Sequence, residues 1–340
     1  MYLALVVTAR CNAACTHCST NCGPQRTESL PREKLLSLMD EAAELSRQTR
    51  DEWMHFSITG GEPFLDLPLL LEAIAHGHRL GAQMSCVSNA YWASSDAKAR
   101  SLLARLKQAG LHLLCVSTSR FHQQFVKRTR VERALRIARE IGLKSQLKFV
   151  RTRSDPEDES HITEWAKGAG ATLVQVIPLA PTLRADAALP DDEYVRRRHL
   201  PQERCPASAI SIYETGAAYP CCTPGAVHPF FSLGDAHTSR LSTIRDRFHF
   251  GGKHQILRQH GPSYFARAIE KQGHGALLRR AYGNVCDLCT HIAHDPTMAR
   301  IAEDAARQFE LEQLRSILAR AIGAPAEEAS AVSINRGDLP

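Results

Sequence analysis

Cys11, Cys15 and Cys18 stand in a C-x3-C-x2-C spacing directly after the apolar run Leu3–Val7. Three thiolates on one short loop can hold three irons of a cubane [4Fe–4S] cluster and leave the fourth iron open to a small-molecule ligand. A structural metal site is the competing reading, although zinc sites usually pair C-x2-C motifs into four ligands. A disulfide fits poorly, since Tyr2–Thr8 is too short for a signal core and has no basic stretch before it. A second motif is Phe56-Ser57-Ile58-Thr59-Gly60-Gly61-Glu62-Pro63, an apolar run ending in Gly-Gly-Glu-Pro. Gly60 and Gly61 carry no Cβ and let backbone approach a ligand closely. The Glu62 carboxylate or a nearby carbonyl can accept hydrogen bonds from an ammonium group. A Gly-Gly after a strand is by itself only a turn, but its pairing with the cysteine triplet is specific.

The elements that must hold these motifs alternate along residues 1–180. Candidate strands are Tyr2–Thr8, Trp53–Thr59, Gln83–Ser88, His112–Ser117, Ser145–Val150 and Thr172–Pro178. Candidate helices between them are Arg32–Gln48, Leu67–Arg79, Ser95–Gln108, Val131–Ile141 and Pro156–Lys167. In the first helix Leu35, Leu36, Met39, Ala42, Ala43 and Leu45 form an apolar stripe. Ser95 with Asp96, and Asp155 with Pro156, are the expected N-terminal caps. Serial strand–helix units imply a parallel sheet with right-handed crossovers, and a partial (β/α)6 TIM-like barrel fits the pattern. Ligands of parallel barrels gather at the C-terminal strand ends. The cysteine loop, Gly60–Glu62, Ser88-Asn89 and Ser117 all fall there. Cys22, Cys86 and Cys115 fit no ligand spacing, and the last two read as small core residues.

A composition shift around Pro178–Pro201 marks a domain boundary. Beyond it lie Cys205, the pair Cys221-Cys222, and Cys286-x2-Cys289. Residues Ala209–Cys221 read as a β-hairpin around a Thr215-Gly216 turn, which brings Cys205 and Cys221 together at its open end. With Cys286 and Cys289 they could form a four-thiolate site for zinc or a second iron–sulfur cluster. Adjacent side chains in an extended segment face opposite ways, so Cys222 must point away from that site. It is either a redundant buried thiol or a hydrogen-atom donor facing the barrel mouth. The expected organisation is a barrel over 1–180, a small cysteine domain over 190–295, a helix over 296–322 and a tail over 323–340.

The cysteine triplet with Gly60–Pro63 resembles the radical S-adenosylmethionine (SAM) superfamily. The resemblance implies a partial barrel and a [4Fe–4S] cluster on Cys11, Cys15 and Cys18, its open iron bound by the methionine amine and carboxylate of SAM. It implies that Gly60, Gly61 and Glu62 grip the SAM amino group and that His17 contacts the adenine. Ser88 and Asn89 would bond the ribose or carboxylate, with Ser117 at the same mouth. Gly216-x4-Cys221 resembles the start of SPASM and twitch domains, which implies one auxiliary [4Fe–4S] cluster on Cys205, Cys221, Cys286 and Cys289. Cys205-Pro206, Ile212-Tyr213, Tyr219–Pro224, Cys286-x2-Cys289, Thr59–Leu65, Val87–Trp92, Phe121-His122 and Phe125–Lys127 resemble the Yyd-type radical SAM peptide epimerases. In that family the second cysteine of the CC pair gives a hydrogen atom to a peptide Cα radical, a role that carries to Cys222. Two departures stand out: Ser88-Asn89-Ala90 replaces the usual SNG, and Ser117-Thr-Ser-Arg120 lacks the acidic residue expected after the fourth strand.

The activity so implied is conversion of an L-residue of a ribosomal peptide to D, with SAM consumed each turnover. The alternatives are peptide crosslinking or small-molecule chemistry on the same scaffold, and a non-catalytic iron–sulfur redox protein. Expected partners are the peptide and a flavodoxin- or ferredoxin-type reductant; since the first strand begins at the N-terminus, either a separate leader-peptide-binding protein assists or the barrel binds the peptide directly. No apolar run approaches the roughly 18 residues of a membrane span. The net charge of +6 is not interleaved with aromatics, which argues against nucleic acid and leaves an acidic peptide as a partner. Eleven cysteines without a secretory signal point to a reducing, cytoplasmic setting. The pattern of 225–285 yields no role.

Overall fold

The protein was analysed as a computed structural model, which describes residues 1–49, 53–181, 184–196, 200–206, 209–221 and 227–321. Six parallel strands run in chain order across one sheet: β1 (Tyr2–Val6), β2 (His55–Thr59), β3 (Gln83–Ser88), β4 (Leu111–Thr118), β5 (Lys144–Arg151) and β6 (Leu173–Pro178). Helices α1 (Arg32–Thr49), α2 (Leu67–Arg79), α3 (Asp96–Gln108), the short α4 (Arg120–Gln123), α5 (Arg128–Glu140) and α6 (Glu159–Ala169) lie between them. The parallel sheet with intervening helices is the expected α/β partial barrel. Alternate strand residues Leu3, Leu5, Phe56, Ile58, Met84, Cys86, Leu114, Val116, Leu147 and Phe149 join one core with the helices. The intervening residues point the other way, as the two-residue period of a strand requires. Cys115 therefore leaves that core and donates its thiol hydrogen to Gln146 Oε1 at 3.4 Å.

Ser95 caps α3, its side chain accepting from Lys98 N–H. The cap of α6 is Asp158, which accepts from His161 N–H at 2.9 Å, and not the expected Asp155. Asp155 instead turns inward and accepts from Thr152 N–H at 2.6 Å and Thr152 Oγ1 at 3.1 Å. Its local turn consumes the carboxylate four residues before the helix begins.

After α7 (Arg184–Ala188), strand β7 (Ile210–Ile212) pairs in parallel with the free side of β1, Leu3 opposite Ile210 and Leu5 opposite Ile212. β8 (Ala217–Tyr219) returns antiparallel and β9 (Gly234–Asp235) follows, giving nine strands among the described residues. The expected hairpin is present, and its turn glycine, Gly216, has φ +87. Among the described residues of 225–285, unreadable in the sequence, lie the α-helices α8 (Leu241–Phe250), α9 (Gly252–His260) and α10 (Ser263–Lys271). With α11 (Val285–His294) and α12 (Pro296–Ala321) they build a second core around Phe231, Ile256, Phe265, Tyr282, Leu288 and Ile301. Cys222 and the tail 323–340 lie outside the described residues.

Candidate active site

The cysteine loop leaves the end of β1 and folds into a small core of its own, in which Cys11, Cys15 and Cys22 pack with Ala9, Ala13, Phe121, Leu179 and Tyr194. Backbone N–H groups already face the sulfurs: Ala13 N donates to Cys11 Sγ at 3.4 Å and Cys22 N to Cys18 Sγ at 3.3 Å. Burial pushes the Cys11 thiol up to about 11 and the Cys15 thiol up to about 12. The Cys22 thiol hydrogen bond draws Cys18 down to about 5, and the same bond pushes Cys22 upward. Buried thiols that resist ionisation when alone become good ligands once a cation neutralises them. Among the described residues no three of the Cys11, Cys15 and Cys18 sulfurs lie mutually within 4.8 Å. A cubane puts each thiolate on a separate iron, so its sulfurs need not meet at one point; the donor atoms that do lie within 4.8 Å of one another here, among the described residues, are those of Cys15, His17 and His122.

Gly60 and Gly61 serve this loop directly. A Cβ on Gly60 would meet Thr8 O at 2.5 Å, and one on Gly61 would meet Arg10 O at 2.1 Å. Gly61 N donates to Thr8 O at 2.6 Å and Glu62 N to Arg10 O at 2.9 Å. The close approach that requires the glycines is thus made, at least in part, to the start of the cysteine loop. The Glu62 carboxylate is fully enclosed. It accepts from Ser88 Oγ at 2.9 Å, Asn89 N at 2.8 Å and Phe64 N at 3.2 Å. Desolvation by burial raises its pKa to about 7. The side chain ties the ends of β2 and β3, and only backbone carbonyls of this turn remain to receive an ammonium group.

Ser88 is also spent. Besides donating to Glu62, its oxygen accepts from Ala90 N at 3.0 Å and Trp92 Nε1 at 2.9 Å, leaving it no bond to offer a ligand. Asn89 Nδ2 donates to Asn12 Oδ1 at 2.9 Å and lies 3.9 Å from Cys11 Sγ, so the β3 end touches the cysteine loop. Ala90, at the position of the usual glycine, is left-handed with φ +62 and fully buried. His17 is buried, stacks on Phe121 at 4.9 Å between centroids and meets His122 edge-on at 4.6 Å. Burial drives its pKa down to about 2, so the ring is neutral, and its enclosed Nδ1 has no partner among the described residues. Ser117 sits half-buried at the end of β4, and no hydrogen bond joins it to the other site residues among those described.

Two groups without a distinguishing sequence signal complete the loop. Arg184 of α7 donates to Cys15 O at 2.9 Å, Cys22 O at 2.9 Å and Asn21 Oδ1 at 2.8 Å. Cys22 packs inside the loop, with its sulfur 3.1 Å from Thr20 Oγ1. Both act across chain separations or spacings that no local pattern encodes.

The second cysteine group forms a separate site. Cys205, Cys221, Cys286 and Cys289 line one small cavity between the β7–β8 hairpin, α9 and α11. Asn284 caps α11, accepting from Cys286 N and Asp287 N, which fixes Cys286 and Cys289 one turn apart. Cys205 N bonds Leu257 O at 2.9 Å, anchoring the other side to α9. Among the described residues no three of these sulfurs come mutually within 4.8 Å. Four sulfurs around a single zinc ion stand about 3.8 Å apart given a Zn–S bond of about 2.3 Å.

Residues 5–164 match the family model described as the radical SAM superfamily. The peptide biosynthesis protein named YydG of Bacillus subtilis (strain 168) is 22% identical over 287 residues, covering 83% of this chain and 88% of that protein. A GTP 3′,8-cyclase of Nautilia profundicola (strain ATCC BAA-1463 / DSM 18972 / AmH) is 30% identical, over 51% of this chain and 54% of its own. The solved structure of anSMEcpe with bound AdoMet and Cp18Cys peptide superposes with a TM-score of 0.55 at 13% identity, covering 93% of this chain and 98% of that one.

Proposed function

We propose, from the match of residues 5–164 to the radical SAM family model, that this protein binds a [4Fe–4S] cluster and SAM and is a peptide-modifying enzyme. It inverts the Cα stereochemistry of a residue in a ribosomally made peptide. Cys11, Cys15 and Cys18 hold the cluster, and the neighbouring β2 and β3 turns with His17 form the SAM pocket. Bound there, the cluster and SAM supply a carbon-centred radical that removes one hydrogen atom from the substrate. Glu62, Ser88 and Arg184 keep the loop and strand ends in register and exclude water. Cys205, Cys221, Cys286 and Cys289 hold an auxiliary cluster in a domain spanning roughly residues 190–295, and the thiol of Cys222 returns a hydrogen atom to the opposite face of Cα. A flavodoxin- or ferredoxin-type protein is the proposed reductant, and a separate protein is the proposed leader-peptide binder.

The observation that carries this reading is the gathering of four cysteines on one cavity at the open end of the hairpin. It uses Cys221 as a ligand and leaves the adjacent Cys222 as the one extra thiol of the pair. The similarity to YydG spans both halves of the chain and supports a peptide substrate, and the peptide in the anSMEcpe structure agrees with it. The GTP 3′,8-cyclase covers only about half the chain and supports the radical chemistry alone. The test compares anaerobically loaded wild type with Cys222→Ala in deuterated water, with a peptide encoded beside this protein's gene as substrate. Wild type should place deuterium at an inverted Cα. Cys222→Ala should still cleave SAM but give no inverted product. Inversion by the variant, or a crosslinked product from wild type, would replace epimerisation by another peptide modification.

A further inference from the structure

The wall of the four-cysteine cavity contains more than thiols. α9 contributes His254 and Arg258 to it. His254 is 5% exposed, and its Nδ1 is enclosed without a hydrogen-bond partner among the described residues. Burial lowers its pKa to about 3, so the ring is neutral and carries a single N–H. The Cδ2 edge of the ring faces Gly251, where a Cβ would stand 3.6 Å away, and this places Nδ1 on the other edge. The Arg258 guanidinium is fixed by the carbonyl oxygens of Phe248 and His249, the latter at 2.7 Å, and rests over the Phe248 ring at 4.9 Å. Its charge acts on Cys205.

A buried ring nitrogen with no partner is a cost that an apolar side chain of similar size would avoid. The cost disappears if what occupies the cavity accepts the N–H. The four cysteines already supply four ligands, so the imidazole is left to donate rather than to coordinate. Thiolates and sulfides concentrate negative charge in a poorly solvated space, and reduction adds more. An N–H donated to sulfur, with a guanidinium in the same wall, would therefore favour the reduced form. We propose that His254 donates a hydrogen bond from Nδ1 to the metal centre held by Cys205, Cys221, Cys286 and Cys289, and with Arg258 raises its reduction potential. This rests on the reading that the cavity holds an iron–sulfur cluster.

The test is an anaerobic, EPR-monitored potentiometric titration of the loaded full-length protein. SAM addition identifies the N-terminal cluster by its altered signal. In His254→Leu the reduced-to-oxidised ratio of the second cluster at fixed potential should fall about tenfold, equivalent to about 59 mV for a one-electron couple. The N-terminal cluster should not move, and His254→Gln, which keeps an N–H donor, should recover most of the shift. An unchanged second potential in His254→Leu, with both clusters present, overturns the proposal and leaves the cluster reading intact. Iron and sulfide for one cluster only in wild type overturns the reading beneath it. If His254→Leu fails to load, pulsed EPR of 15N-histidine-labelled wild type decides. Weak coupling of one histidine nitrogen to the reduced second cluster supports the hydrogen bond. No coupling, or coupling of the size found for a directly bound nitrogen, overturns it.

Discussion

Replacing Glu62 by Gln should stabilise the cluster-free chain above pH 7 relative to pH 5. Glu62 is fully enclosed, and desolvation raises its pKa from 4.5 to about 7. Between those two values the unfolded chain gives up the proton while the folded chain keeps it. The stability contributed by the neutral carboxyl is therefore complete below the lower value, declines as pH rises, and is gone above the upper one. A shift of about 2.5 units at about 1.36 kcal/mol per unit is a loss of about 3 kcal/mol. Gln has nearly the same shape and never ionises. Its amide NH2 opposes one of the three donors now held by the carboxylate, a roughly constant penalty of about 1 kcal/mol at every pH. The difference in unfolding free energy, variant minus wild type, should climb by about 3 kcal/mol from pH 5 to pH 8. Urea titrations under anaerobic reducing conditions measure it, provided the m-values agree. Parallel stability curves within about 1 kcal/mol would refute the argument, showing that Ser88 Oγ, Asn89 N and Phe64 N hold the carboxylate ionised despite its burial.

Gly61→Ala places a methyl 2.1 Å from the Arg10 carbonyl oxygen, with backbone on both sides; it should lose about 3 kcal/mol and fail to load iron, as measured by denaturation and iron content. Arg184→Met should lose about 2 kcal/mol through three abandoned acceptors on the cysteine loop and load iron more slowly, with Arg184→Lys intermediate. His55, lowered to about 4 by burial and bonded to Ser85 Oγ at 2.7 Å, is neutral in the fold. Its contribution is present above about pH 6.5 and lost as pH falls toward 4, amounting to about 2 kcal/mol once solvent screening of its exposed part is discounted. His55→Gln should flatten the acid limb of the stability curve by that amount.

The barrel was legible because its strands are buried on one face by alternate apolar residues and each is followed by an amphipathic helix. Gln83–Ser88 and Leu67–Arg79 fall where the pattern places them. The helices of 225–285 were not legible. α8 reads LSTIRDRFHF and α9 GKHQILRQH, short segments whose charged and histidine residues interrupt the apolar stripe. The cysteines were legible by spacing, but the purpose of Gly60 and Gly61 was not. Their neighbours are Thr8 and Arg10, about fifty residues earlier, and only the pairing of β1 with β2 brings them together. Arg184 reaches Cys22 across 162 positions for the same reason. Glu62 and Ser88 meet each other at the ends of β2 and β3, and sequence cannot tell a carboxylate that meets a ligand from one satisfied by its own fold.

The pairing of β7 with β1 has a consequence for how the chain is made. β1 leaves the ribosome well before β7, and one of its two edges is covered by residues 210–212. About 200 residues must be synthesised in between, which at 5–20 residues per second takes roughly 10–40 s. Throughout that interval an apolar strand carrying the cysteine loop at its end offers an open edge to any other nascent chain. The protein should therefore depend more on chaperones, and on slow iron delivery, during synthesis than after it. Detaching the C-terminal half would not release an independent barrel. It would leave permanently the unfinished edge that the growing chain has only while it is being made.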